Sequence, residues 1–220
     1  MVKVFLTIFL SFSLLIGSLF FIPINFLISN FLKNSNLNIQ YSYLEGNIFS
    51  GKILDLYYDN NFIGDFSYDI QFSLNNVIAH IVSIDEQNIK GKVIKQFSNI
   101  ADKGKFLVKD FSASSIFSTE LLNAVDLYLN INELEIINFE CAYINGNLQI
   151  SSQEIKEELI GQLSCYEDNT ISAELFNKNM KELGNVTYSN SQVKVRISTR
   201  TISDRRVQLL MDYITFTIDL

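Results

Sequence analysis

From Val4 to Leu32 the chain carries no charged side chain, and this run constrains its fate more than any later motif. A stretch that apolar, held as a helix, is long enough to cross a bilayer core of about 30 Å. The apolar core of a cleaved secretory signal is shorter, and no small-x-small tripeptide closes this one. The reading is therefore a retained single-pass anchor over residues 1–33 and one domain over residues 34–220. Pro23, the sole proline, removes one backbone hydrogen bond and is expected to kink the span or split off its last residues. Lys3 and Lys33 flank the run and mark its orientation only weakly. An anchor placed before any other domain delivers the chain beyond it outward, so the domain is expected in the periplasm or outside the cell.

Charge narrows the function classes. The formal net charge is -7, and the 17 Lys and Arg are scattered, so no basic stripe exists to follow a phosphate backbone and nucleic-acid binding is not expected. The one histidine, His80, shares an apolar strand face with Ile78 and Val82, which reads as packing rather than catalysis. No His/Cys spacing suits a metal, and no phosphate loop, nucleophile elbow or dinucleotide fingerprint occurs. The acidic pairs Asp85-Glu86 and Glu157-Glu158 are adjacent, so their carboxylates diverge and read as solvated charges. A non-enzymatic protein without cofactor or metal is expected.

Beyond the apolar run the dominant period is two. Leu37, Ile39, Tyr41 and Tyr43 alternate with polar residues, as do Phe66, Tyr68, Ile70, Phe72 and Leu74, and later Val193, Val195 and Ile197. Turn-forming residues fall between such runs at Glu45-Gly46-Asn47, Asn75-Asn76, Asn145-Gly146-Asn147 and Tyr188-Ser189-Asn190. Asn145-Gly146 suits a type I′ hairpin, because both residues tolerate positive φ. Short helices are predicted over 114–124 and as an N-capped turn or two from Ser151 toward Leu159. Residues 203–212 read equally as helix or as a strand running into Tyr213. The fold class is all-β: a twisted, mainly antiparallel sheet, open and trough-like or sandwiched, with one or two short helices, preceded by a single N-terminal transmembrane helix.

The 18 Phe and 10 Tyr, with no Trp, support a sheet that encloses something apolar. Residues 77–82 are apolar on both faces, which fits a buried central strand or the wall of a groove. On the groove reading, Phe66, Tyr68, Phe72, Ile78 and Val82 line a concave face. Cys141 and Cys165 are the only cysteines, and beyond an exported anchor an even count predicts a disulfide. Ile137, Phe139, Cys141 and Tyr143 alternate along one stretch, and Leu159, Gly161, Leu163 and Cys165 along another. Both thiols can then lie on core-facing positions of neighbouring strands.

The segment Leu44-Glu45-Gly46-Asn47-Ile48-Phe49-Ser50-Gly51-Lys52 resembles the G-[ST]-[LIV]-W-S-G sequence that opens the periplasmic part of type II secretion system protein N. Asn47 and Phe49 stand in place of the small hydroxyl residue and the tryptophan. Gly64, followed by Phe66 and Tyr68, is similar to that family's glycine-then-aromatic strand, and Ile144-Asn145-Gly146-Asn147-Leu148 to its recurring x-G-x-L pattern. Cys141 and Cys165 flank the region where the family often places two cysteines. The resemblance spans the anchor and most of the domain beyond it. It implies a bacterial inner-membrane protein, anchored through residues 4–32, whose β-rich periplasmic domain meets other secretion-system proteins and carries no catalytic residues. The alternative from a different class is a carrier of phospholipid or lipopolysaccharide that shields acyl chains in its apolar face. A continuous dry concavity separates the two.

Overall fold

The structure, a computed structural model, describes residues 25, 38–58, 61–84, 88–96, 105–118, 122–138, 140–166, 170–189 and 192–219. All of the predicted anchor but residue 25 lies outside them, and among the described residues no helix is long and apolar enough to cross a membrane. The fold is all-β. Among the described residues, fourteen strands belong to one antiparallel sheet whose hydrogen-bonded neighbours follow chain order almost throughout, and a short α-helix accompanies its last strands. The chain divides into two compact units, Met1–Phe72 with Ala79–Glu86, and Ser73–Ile78 with Gln87–Leu220.

In the first unit, β1 (Ile39–Gln40) and β2 (Tyr43–Gly46) pair in succession along β3 (Ser50–Tyr58), which pairs on its other side with β4 (Asn61–Phe72). The predicted turn at Glu45-Gly46-Asn47 forms. Gly46 adopts φ 116°, opposite Gly51, and a Cβ on it would overlap the carbonyl oxygen of Ser50. Asn47 Oδ1 accepts from the backbone N–H groups of Phe49 (2.8 Å) and Ser50 (3.1 Å), an Asx turn that holds the hairpin. A bulge between Ile53 and Leu56 puts Asp55 at φ 50°, and its N–H donates to Asp65 Oδ1 at 2.7 Å. β5 (Asn76–Ser83) contributes residues to both units.

The second unit contains β6 (Lys90–Gln96), β7 (Lys105–Phe117), β8 (Val125–Ile137), β9 (Glu140–Ser151), β10 (Leu159–Cys165), β11 (Ile171–Phe176), β12 (Glu182–Ser189), β13 (Gln192–Ser198), the helix α1 (Arg205–Leu210) and β14 (Tyr213–Asp219). Registers from β7 to β14 lay apolar rows on one face. One row runs Ala113, Leu129, Leu148, Gly161, Leu175, Gly184, Ile197 and Ile214. The row beside it on the other face is polar, running Asn130, Asn147, Gln162, Glu174, Asn185, Arg196 and Thr215. Period two thus separates a core face from a solvent face across the whole meander.

The core is densest where β8 begins and β9 ends, with Leu122, Val125, Ile150, Leu159, Leu175, Ile197 and Ile202 all fully buried. Two connecting segments close this end. Ile155 and Ile202 form a bridge, the N–H of Lys156 donates to Thr201 O and that of Ser203 to Glu154 O, each at 2.8 Å. The hydroxyls of buried Thr199 and Thr201 donate to Met211 O and Ser198 O, so neither is left unsatisfied.

Several local expectations are corrected. Asn145 and Gly146 lie inside β9, not in a turn. The chain reverses instead between Ile137 and Glu140, which pair with each other, with Asn138 at φ 54° supplying the left-handed position. Gly146 is used for close approach, since a Cβ there would sit 2.6 Å from Asn130 O. Residues 114–117, predicted helical, continue β7, because pairing with Val125–Tyr128 outweighs local propensity. Ser152–Glu154 form a turn without a following helix. Residues 205–210 are helical, capped by the Asp204 carboxylate, which accepts from the N–H of Arg206 at 2.8 Å.

Candidate functional site

Apolar side chains from seven consecutive strands, β7 to β13, line one cavity of about 430 Å³ in the second unit. Strands in a sheet lie about 4.8 Å apart, so a flat sheet of that many would spread over nearly 30 Å. For Phe111 and Ala113 of β7 to share a cavity with Tyr188 and Val193 of β12 and β13, the apolar face of this unit must be concave. Right-handed twist accumulating over long antiparallel strands supplies that curvature, and small side chains at its inner positions permit it. Gly161 and Gly184 stand where a Cβ would meet, respectively, Glu174 O at 2.8 Å and the carbonyl oxygen of Arg196.

The walls are Leu127, Leu129 and Ile131 from β8, Ile144 and Leu148 from β9, Leu163 from β10, and Ile171 and Ala173 from β11, with Val186 beyond. Polar groups are few: Ser114, Ser115 and Ser172, and the partly exposed Tyr188. Ala113 and Ala173 put small side chains at central positions of the lining, which leaves space between their larger neighbours. A volume of this size falls in the range of about 300–1,000 Å³ usual for small-molecule sites. Among the described residues no carboxylate, imidazole, amine, guanidinium or thiol lines it. The arrangement is suited to an apolar chain.

Cys141 and Cys165 are joined by a disulfide, with their Cα atoms 5.7 Å apart, as the even cysteine count predicted. Both pack against the core cluster. Tyr143 does not share that face. An extra residue, Ala142, interrupts the β8–β9 register between Tyr143 and Cys141, and the inward positions of β9 become Ile144, Gly146, Leu148 and Ile150.

The five residues read as a groove lie elsewhere than this cavity. Phe66, Tyr68 and Phe72 are on β4 and Ile78 and Val82 on β5. Phe66 is buried, Phe72 and Val82 are about half exposed, and Ile78 is intermediate. The Tyr68 hydroxyl donates to Asn47 O at 2.8 Å, and burial pushes its pKa above the ordinary phenol value. Of the residues that carry the secretion-family resemblance, Gly46, Phe49, Gly51 and Tyr68 meet in one place. Gly46 pairs with Gly51, Tyr68 lies over Gly51, and Phe49 meets Phe72 edge to face at 5.6 Å. Gly64, at φ 127°, is buried opposite Leu56. His80 lies on β5 at intermediate exposure, and among the described residues no group of His, Cys, Asp or Glu could hold a metal ion.

The cavity residues are readable in the sequence as alternating patterns, Val125 to Ile131 above all, but alternation marks a buried face without saying whether that face is filled. Compared with protein-family models, with curated proteins and with solved structures, the chain finds no match.

Proposed function

We propose that this protein is a non-enzymatic binding module for the acyl chains of envelope lipids, held to the bacterial inner membrane by residues 4–32 and presenting its sheet to the periplasm. The observation that carries this reading is the apolar cavity of about 430 Å³ inside the second unit, walled by Leu129, Ile131, Ile144, Leu163 and their neighbours. A natural core is close-packed, and an apolar void of this size forfeits dispersion contacts unless something fills it. An acyl chain does so, at a gain of about 25 cal/mol per Å² of apolar surface removed from water. Of the two sheet forms expected from the sequence, open and trough-like or sandwiched, such a site requires the first.

A second reading, an assembly component of the type II secretion system similar to protein N, has in its favour the hairpin at Gly46–Gly51, where the resembling residues converge with Phe49 against a half-exposed Phe72. A photoreactive amino acid at Leu129 of the full chain, expressed in bacteria and irradiated, separates the two. Recovery of a covalent lipid adduct at position 129, absent when the same group is placed at the exposed Asp126 of the same strand, supports lipid binding. Absence of lipid at 129, with protein adducts from a photoreactive group at Phe72, transfers support to the assembly reading.

A further inference from the structure

β9 and β10 part company halfway along. Their ladder runs from Leu159 opposite Ile150 to Gln162 opposite Asn147 and stops there. Both strands continue: β9 stays paired with β8 back to Glu140, and β10 with β11 on to Cys165. Were the ladder to go on, Cys165 would face Ile144. The disulfide instead ties it to Cys141, three residues nearer the start of β9, so the strands have slipped and spread. The Ala142 bulge bends β9 at this point. Between them lies a second opening of about 330 Å³, reaching from outward-facing Asn145, Gln162 and Ser164 to inward-facing Ile144 and Leu163. Ile144 and Leu163 also line the apolar cavity, which places the opening directly beside that cavity, across these two side chains.

The geometry points to a side window in the sheet wall, strapped by the Cys141–Cys165 disulfide, that seats the polar head of an amphiphile whose single acyl chain lies in the cavity; this rests on the acyl-chain reading of that cavity. Chemistry narrows the head group. No Lys or Arg lines the window among the described residues, and the charged register neighbours of Asn145 and Gln162 are the carboxylates Glu133 and Glu174. An anionic phosphate would find no cation there and two acids nearby. Asn145, Gln162 and Ser164 offer amide and hydroxyl partners instead. One position along the same face of β9, Asn147 Oδ1 is shielded from solvent and has no hydrogen-bond partner, an acceptor suited to a ligand hydroxyl. The volume of the cavity fits one chain rather than the several of lipid A. An uncharged, hydroxyl-bearing head on a single acyl chain, as in a monoacylglycerol, meets these conditions.

The test uses membranes containing the full chain and two photoprobes, a monoacylglycerol with a diazirine at the end of its chain and one with a benzophenone on the glycerol. The expected result is tail-probe adducts within 127–131 and 171–173 and head-probe adducts within 142–145 and 162–165, with Ser164→Trp cutting head-probe labelling about tenfold at unchanged thermal unfolding. Unlabelled monoacylglycerol is expected to compete at lower concentration than lysophosphatidic acid, and the reverse order overturns the head-group assignment. Head-probe adducts at Ser114, Ser115 or Tyr188, with the tail probe still in the cavity, overturn the window and leave the cavity reading standing. Adducts confined to residues 1–33, or none, remove the cavity reading and the window with it.

Discussion

Two side chains show how differently single residues are held here. Tyr68 places its hydroxyl on Asn47 O while its ring covers Gly51, and burial raises its pKa. A phenol that ionises later in the folded than in the unfolded state contributes nothing to the pH profile below about pH 10, where both forms are protonated. Above that pH the unfolded chain releases the proton first, so stability falls as pH rises toward the folded value. Tyr68→Phe is expected to remove this alkaline loss, read as the difference between the two proteins' denaturant midpoints across that range. Leu175 tells the packing side. It is fully buried between Gly161 and Gly184, and Leu175→Ala is expected to cost about 2–5 kcal/mol. Leu209, 86% exposed on α1, is the control, and Leu209→Ala should leave chemical unfolding unchanged within about 0.5 kcal/mol.

Among the elements, β9 carries the most conflicting demands. Its first half is bent by the Ala142 bulge and tied to β10 by the disulfide beyond the end of their ladder, whereas its second half is laddered on both sides. Closing a loop of sequence separation 24 stabilises the fold by about 3 kcal/mol on the chain-entropy account. The double substitution Cys141→Ala, Cys165→Ala is expected to lower the unfolding free energy by about that amount. Reductant should bring the parent protein to the same denaturant midpoint and leave the variant unmoved. The Asn145-Gly146 pair explains why local sequence misplaces the hairpin. Asn and Gly suit a turn, but a glycine suits equally a strand that must pass close under a neighbour, and only the opposing Ile131 and Leu163 decide between them.

For the whole molecule, the distribution of buried side chains predicts the distribution of stability. Among the described residues of the first unit, Leu44 and Phe66 are the large apolar side chains that are buried, whereas the second unit holds a contiguous cluster from Leu122 to Ile214. Local opening follows apolar burial, so amide hydrogen exchange should be slowest in β8 to β13, near Ile150, Leu175 and Ile197. It should be markedly faster in β1 to β3. Equal protection in the two units would contradict this. A ligand in the cavity adds its own prediction at this scale, since whatever binds the folded state alone slows exchange throughout the second unit.

The sequence by itself determined the class of fold, several strand positions, the pairing of Cys141 with Cys165 and the turn at Gly46, because each follows from a local rule: side-chain alternation, the even cysteine count, or the φ angles open to glycine. The amphipathic rows of β8, β10 and β13 were legible for the same reason. The cavity, the slip between β9 and β10, and the closed end at Ile155 and Ile202 were decided by tertiary structure alone. Each depends on how far strands distant in the chain curl toward one another, and alternation records which face is apolar but not how much space that face encloses.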